Sequence, residues 1–200
     1  MTAPIWILDE QWRELKPPAE VLVLGELPRA PEKILGVTRA LCVTHAPRYQ
    51  PDASGTKCNI NTSDVIQILQ APLPHWYDFG DGRGRRELTA NDTIDALRAG
   101  KFPGWSKIAD ADAVIAWVAL GKPAVVTWRN MTPKRNSAGG VLTLNGVIQY
   151  RSGHINPVVP TPIGRGGVHV TGAGATCVEE VPLAFSFGQY VRDVEFWGHE

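Results

Sequence analysis

Residues 108–128 read IADADAVIAWVALGKPAVVTW, and the spacing of apolar residues changes halfway through. Ile108, Ala111, Ile115 and Val118 step by three and four, which predicts a helix over 108–120 with one buried face. Gly121 supplies the stop. Beyond it, Ala124–Trp128 is a short apolar run too brief for a helix and suited to a strand. Upstream, the same helical spacing recurs at Ile34, Val37 and Leu41 (30–43, with Pro31 in the first turn), at Val65, Ile68 and Leu69 (58–70), and over 91–99 behind Asn91 as N-cap. Downstream, Val141–Tyr150 carries Asn145-Gly146, the pair that a two-residue hairpin turn selects. Ile155–Val159, Val168–Ala173 and Tyr190–Trp197 read as further strands. Helices first and strands last predict an α+β fold built on an antiparallel sheet, not a doubly wound one.

The chain has 200 residues, 44% of them hydrophobic and 20% charged, enough for a packed core without staples. Lysine plus arginine equals aspartate plus glutamate at 20 each. This balance argues against nucleic-acid binding by bulk charge and against a polybasic membrane-surface protein. No apolar run is long enough to span a bilayer, and the first residues lack the basic start of a secretory signal. Three cysteines, Cys42, Cys58 and Cys177, form neither a disulfide framework nor a CxxC zinc knuckle. No GxGxxG or GxxxxGK[ST] run is present, so nucleotide chemistry has no support. Residues 1–30 are read as an arm or extension, broken by Pro17-Pro18, with Val21–Leu24 as a short strand or a docked segment.

Three side chains stand out chemically. Cys58 opens a predicted helix among polar neighbours, where free amide N–H groups and the helix dipole favour a thiolate; its alternative is a buried structural cysteine, the reading that suits Cys42. His154 follows Gly153 at the start of a strand, either facing a cleft or sitting in an exposed turn. A helix-borne cysteine followed about a hundred residues later by a strand histidine is the layout of a papain-like thiol hydrolase. His169, on the next strand, is the first choice for the group that orients His154, with Thr171 second and Asn156 a further option. A zinc site from His154, His169 and Cys58 or Cys177 matches no common ligand spacing, and no cofactor is expected.

TKCNINTSDVIQILQAPLPHW (56–76) resembles the nucleophile helix of NlpC-type and CHAP-type (cysteine-histidine-dependent amidohydrolase/peptidase) cell-wall hydrolases, closest to a phage- and effector-associated branch. SGHINPVVP (152–160) is similar to that group's catalytic-histidine strand, and GGVHVTGAGA and YVRDVEFWGHE to the strands that follow. The likeness spans about residues 46–200. Two positions depart from it: Asn156-Pro157 interrupts the histidine strand, which as a proline-bearing strand should lie at an edge or carry a bulge, and Asn61 stands where an apolar or aromatic residue is usual.

The resemblance implies a papain-like hydrolase domain over 31–200 with Cys58 as nucleophile and His154 as general base. It also implies Tyr49 as a phenol donor to the oxyanion beside the Cys58 N–H, where the alternative is a tyrosine that only packs its loop. The substrate implied is peptidoglycan or a peptide, cut at a stem-peptide or amide bond through a thioester. Cysteine before histidine fits the peptide-acting rather than the permuted lipid-acting members. Trp76 and Tyr77 are expected along the substrate approach; Arg83, Arg85 and Arg86 either join them there, meeting stem-peptide carboxylates, or form a solvated loop. The protein is expected to be a monomer without nucleic-acid partner or membrane insertion, made in the cytoplasm and acting on the wall after release or export. The competing expectation is a non-catalytic wall-binding or virion-structural module; transacylation and deamidation use the same residues.

Overall fold

The computed structural model describes residues 15–53, 55–78, 80, 82, 84–161 and 164–200. Ten strands and six α-helices are described: α1 (Ala19–Gly25), α2 (Pro31–Ala40), α3 (Cys58–Ile68), β1 (Trp76–Asp78), β2 (Arg85–Glu87), α4 (Ala90–Arg98), β3 (Trp105–Ile108), α5 (Ala111–Ala119), β4 (Ala124–Trp128), β5 (Thr143–Leu144), β6 (Val147–Ile148), β7 (His154–Val159), β8 (His169–Gly172), β9 (Val178–Pro182), α6 (Leu183–Phe187) and β10 (Glu195–His199). Six strands form one antiparallel sheet in the order β3-β10-β4-β7-β8-β9. The fold is thus α+β with a large antiparallel sheet. Helix α3 packs against β7, α5 against β10 and α4 against β4.

Several expected elements appear nearly where the periodicity puts them. Ile34 and Val37 of α2 are buried with Leu41 just beyond its end, as are Val114 and Val118 of α5. Helix α4 is capped by Thr89, two residues before the expected cap Asn91, which lies inside the helix. The Thr89 hydroxyl accepts from Asp92 N–H while the Asp92 carboxylate accepts from Thr89 N–H, a complete capping box. The hairpin is built on Asn145 and Gly146, both left-handed at φ 52° and 77°, as a type I′ turn requires.

Other expectations give way. Ile108 leaves the helix reading to end β3, where it pairs with Phe196 of β10; Asp110 then caps the shortened α5 by accepting from Ala113 N–H. Val21–Leu24 is helical, within α1, and packs against α2. Strand β10 begins at Glu195 rather than Tyr190, because 188–192 coil into a 3₁₀ turn. Val178–Pro182 forms β9, which hydropathy alone does not announce.

The proline-bearing strand is not at an edge. β7 lies inside the sheet, paired with β4 on one side and β8 on the other. Ile155 shows how this is possible. Its backbone turns toward α3, its N–H donating to the Cys58 sulfur and its C=O accepting from the Thr62 hydroxyl at 3.1 Å. Backbone direction in a strand repeats every second residue, so the Pro157 nitrogen lies on that same edge. The β7–β8 ladder starts only at Val158, and no ladder bond is lost to the missing N–H.

Helix α3 is buried on almost every side, Asn59 and Gln67 excepted. A helix so enclosed must satisfy its polar side chains internally. Thr62 donates to Ile155 C=O, Ser63 to Leu73 C=O at 2.8 Å, and Asp64 receives Arg48 and Tyr49. Asn61 alone has no partner for either amide atom.

Candidate functional site

Cys58 is the first residue of α3, which has no side-chain N-cap. Its sulfur is ringed by donors: the Ile155, Asn59 and Cys58 backbone N–H groups and the Thr56 hydroxyl. Each favours the thiolate. Burial opposes them and prevails, since Cys58 is only 3% exposed, and the thiol pKa is raised rather than lowered. The helix-terminus effect expected from sequence is present but outweighed.

His154 opens β7, one residue before the Ile155 N–H that reaches the sulfur. It lines a cleft of about 740 Å³, whose walls include Thr56, Trp128, Ser186, Phe187 and Tyr190. Burial pushes its pKa down to about 4, so the imidazole is neutral at pH 7. The ring leans on Phe187, with centroids 4.8 Å apart. Its Nε2 meets the Ser186 Oγ at 3.1 Å and the Asn156 Nδ2 at 3.2 Å, and Asn156 Nδ2 donates to Ser186 Oγ at 2.7 Å. An Nε2 facing an amide donor is an acceptor, which puts the ring proton on Nδ1. Of the two principal candidates, His154 lines the cleft and Cys58 lies just behind its Thr56 wall.

His169, the expected orienting group, does not reach His154. That residue pairs with Val159, five positions along β7 from His154, or about 16 Å at strand rise. Alternation also puts it on the opposite face. Its Nδ1 faces Gly167 C=O at 3.2 Å. Thr171 shares that wrong face, and its hydroxyl accepts from Glu180 N–H. Asn156, two residues from His154 and so on the same face, is the side chain whose amide meets the imidazole. Opposite it β8 offers glycine: a Cβ on Gly172 would fall 1.9 Å from Asn156 Oδ1. Ser186, on α6, has no sequence signal beyond being a serine; its role emerges only when the five-residue helix folds over the strand start. The separation of His154 from His169 also removes the zinc arrangement, and no cluster of three metal-ligating side chains exists among the described residues.

Tyr49 does not serve an oxyanion. It is fully buried and its hydroxyl donates to Asp64 Oδ2 at 2.9 Å. Asp64 lies six residues beyond Cys58 on α3, about 9 Å along the axis and turned well away. The same carboxylate receives the buried Arg48 through Nε at 2.7 Å and Nη2 at 3.1 Å. Burial raises the Asp64 pKa while the Arg48 bonds pull it back. Of the expected oxyanion donors only the Cys58 N–H remains.

Trp76 and Tyr77 are on β1, away from the cleft. Trp76 helps line a separate pocket of about 220 Å³ with Arg48, Asp64, His75 and Arg85, and Tyr77 packs edge-on against Phe102 at 5.3 Å. Arg83 lies outside the described residues, and Arg85 and Arg86 belong to β2. The aromatic walls of the cleft are instead Trp128 stacked on Tyr190 at 3.8 Å, with Phe185 and Phe187. No family model matches the chain, and no similar protein is found among curated ones.

Proposed function

We propose that the protein is a cysteine-dependent hydrolase of peptide or amide bonds, with Cys58 as nucleophile and His154 as general base. The observation that supports this reading is the Ile155 N–H on the buried Cys58 sulfur, one residue along the chain from His154, whose neutral imidazole lines the cleft. Both groups are neutral at rest, by the direction of their pKa values. Attack is then general-base catalysed rather than delivered by a standing ion pair. The sulfur bonds to the carbonyl carbon as its proton passes to His154. The C–N bond breaks as the imidazolium returns that proton to the leaving amine. Water, deprotonated by His154, then opens the thioester and releases the acid and the free thiol. The Cys58 N–H is the donor available to the oxyanion. Asn156 and Ser186 hold the imidazole in one orientation.

Peptidoglycan is the substrate proposed, on the strength of the motif resemblance at 56–76 and 152–160. The test is digestion of purified sacculi by wild type and Cys58→Ala, with fragments identified by mass. Cysteine-dependent release supports the reading. Its absence across several wall types returns the chain to the non-catalytic module.

A second reading has its own observation. Ser186 lines the cleft and its hydroxyl sits on the His154 Nε2 lone pair, the geometry of a serine nucleophile and its base. Under it Ser186→Ala abolishes release and Cys58→Ala does not.

A further inference from the structure

Between β4 and β7 the chain leaves the sheet as an arm, residues 129–151, and the arm is ordered. Lys134 N–H donates to Gln149 C=O at 2.7 Å, Leu142 N–H to Lys134 C=O at 2.8 Å, Gln149 N–H to Leu142 C=O and Arg151 N–H to Thr132 C=O, both at 2.9 Å. β5 and β6 form its tip, with Leu144 opposite Val147. Alternation puts Leu142, Leu144 and Val147 on one face and Val141 and Ile148 on the other. All five are exposed, Leu144 by 60% and Val147 by 64%. A small sheet normally buries one apolar face; this one buries neither.

Charge is distributed as unevenly as hydropathy. Residues 113–178 contain no aspartate or glutamate and six basic residues, Lys122, Arg129, Lys134, Arg135, Arg151 and Arg165. The neutral sum of the whole chain hides this segregation. Arg129 is paired with Asp95 at the root of the arm. Lys134, Arg135 and Arg151 form no ion pair with a carboxylate among the described residues.

We infer that the arm is an interfacial anchor for an anionic lipid bilayer, its aliphatic tip entering the headgroup region while Lys134, Arg135 and Arg151 meet the negative surface. The two halves of the pattern select this occupant. Aliphatic side chains gain from leaving water for lipid and gain little against a glycan strand. Basic residues without acidic neighbours gain from an anionic surface, whereas a second arm would present the same charge sign. The arm springs from Trp128 and returns through Ser152, Gly153 and His154, all of which line the cleft. Docking would hold the cleft at the membrane surface whatever reaction occurs in it.

The experiment is co-sedimentation of the full chain with vesicles of phosphatidylcholine alone and with phosphatidylglycerol added, at low and high salt. Binding is expected only to the anionic vesicles, weakening as salt rises. Lys134→Gln/Arg135→Gln should lose about thirtyfold in partition, the effect of two basic side chains at such a surface. Leu144→Asn/Val147→Asn should lose at least about tenfold. Unchanged circular dichroism would show the variants folded, as expected for residues already in water. Equal binding to both vesicle types, no binding to either, or variants that sediment like wild type would overturn the inference. So would loss of self-association in the tip variant without any vesicle binding, or sacculus binding that needs the same residues while vesicles are ignored.

Discussion

Removing the Asp64 carboxylate tests how α3 is held, and therefore how Cys58 is presented. The Arg48 side chain is fully buried and that of Asp64 is 3% exposed. Two guanidinium N–H groups and the Tyr49 hydroxyl converge on the two carboxylate oxygens. Asp64→Ala strips a buried cation of its carboxylate, a change that costs about 3–5 kcal/mol. The 220 Å³ pocket bordered by both residues admits water to the vacated space, which favours the lower end, about 3 kcal/mol. For a chain of this length that lowers the melting temperature by about 6–12 °C. Arg48→Met/Asp64→Leu, which removes both charges and keeps the volume, should cost less than the single change, because the expense lies in the stranded charge rather than in lost attraction. Urea unfolding followed by tryptophan fluorescence gives both values, with an unchanged slope as the control that unfolding remains two-state. An Asp64→Ala cost under about 1 kcal/mol, or a double variant less stable than the single one, would refute this account.

Tyr49→Phe should lower stability by about 1.5–3 kcal/mol, the worth of a hydrogen bond to a charged group, while leaving the kcat of sacculus digestion unchanged; a large fall in kcat at intact stability would restore the oxyanion role. Asn61→Leu should raise stability by about 1–3 kcal/mol in urea unfolding, since both amide atoms are buried without partners. Because burial lowers His154 to about 4, the unfolded chain binds the extra proton between that pH and about 6.5. Stability should therefore fall by about 3 kcal/mol as pH drops through this window, level off below it, and show a flatter profile in His154→Gln. Ser186→Ala should shift the acid limb of the kcat/KM profile with little change in KM if Ser186 positions His154, and Ser186→Thr should restore it; complete loss with an active Cys58→Ala would favour the serine nucleophile.

What the sequence disclosed follows from how local each feature is. α2 and α5 show in the apolar period because each buries one stripe, and the hairpin shows because left-handed backbone at 145 and 146 selects Asn-Gly. Cys58 and His154 are legible because each begins an element, and element starts carry sequence signals. β3 was hidden, since the only fully buried residue of Trp105–Ile108 is Ile108, which also fits the helical period of the next segment. A strand histidine at 169 satisfies the order of residues, but only pairing fixes its depth along β7, and Val159↔His169 sets it five residues from His154. A tyrosine upstream of such a helix looks the same in sequence whether its hydroxyl points to the site or, as Tyr49 does, to the Asp64 carboxylate nearly two turns down that helix.

The same geometry links the two halves of the functional proposal. A thiol raised by burial and an imidazole lowered by burial describe a site that excludes charge at rest, so the costly species is the imidazolium that forms during attack. Nε2 faces the Asn156 amide N–H and the Ser186 hydroxyl in the resting arrangement; the hydroxyl can rotate to accept from a protonated nitrogen, whereas the amide NH₂ cannot. For Asn156 to hold the imidazolium that forms there, its amide must turn its oxygen toward the ring. Asn156 Oδ1 is buried without a partner, so the turn would give that oxygen a hydrogen bond as the imidazolium forms. Gly172 leaves the amide space in which to do so, since any side chain at that position would collide with it. Gly172→Ala should therefore depress kcat with binding retained, and should move the acid limb of the pH profile. An alanine variant that folds and keeps both wild-type kcat and the wild-type profile would show that Asn156 does not act in the reaction.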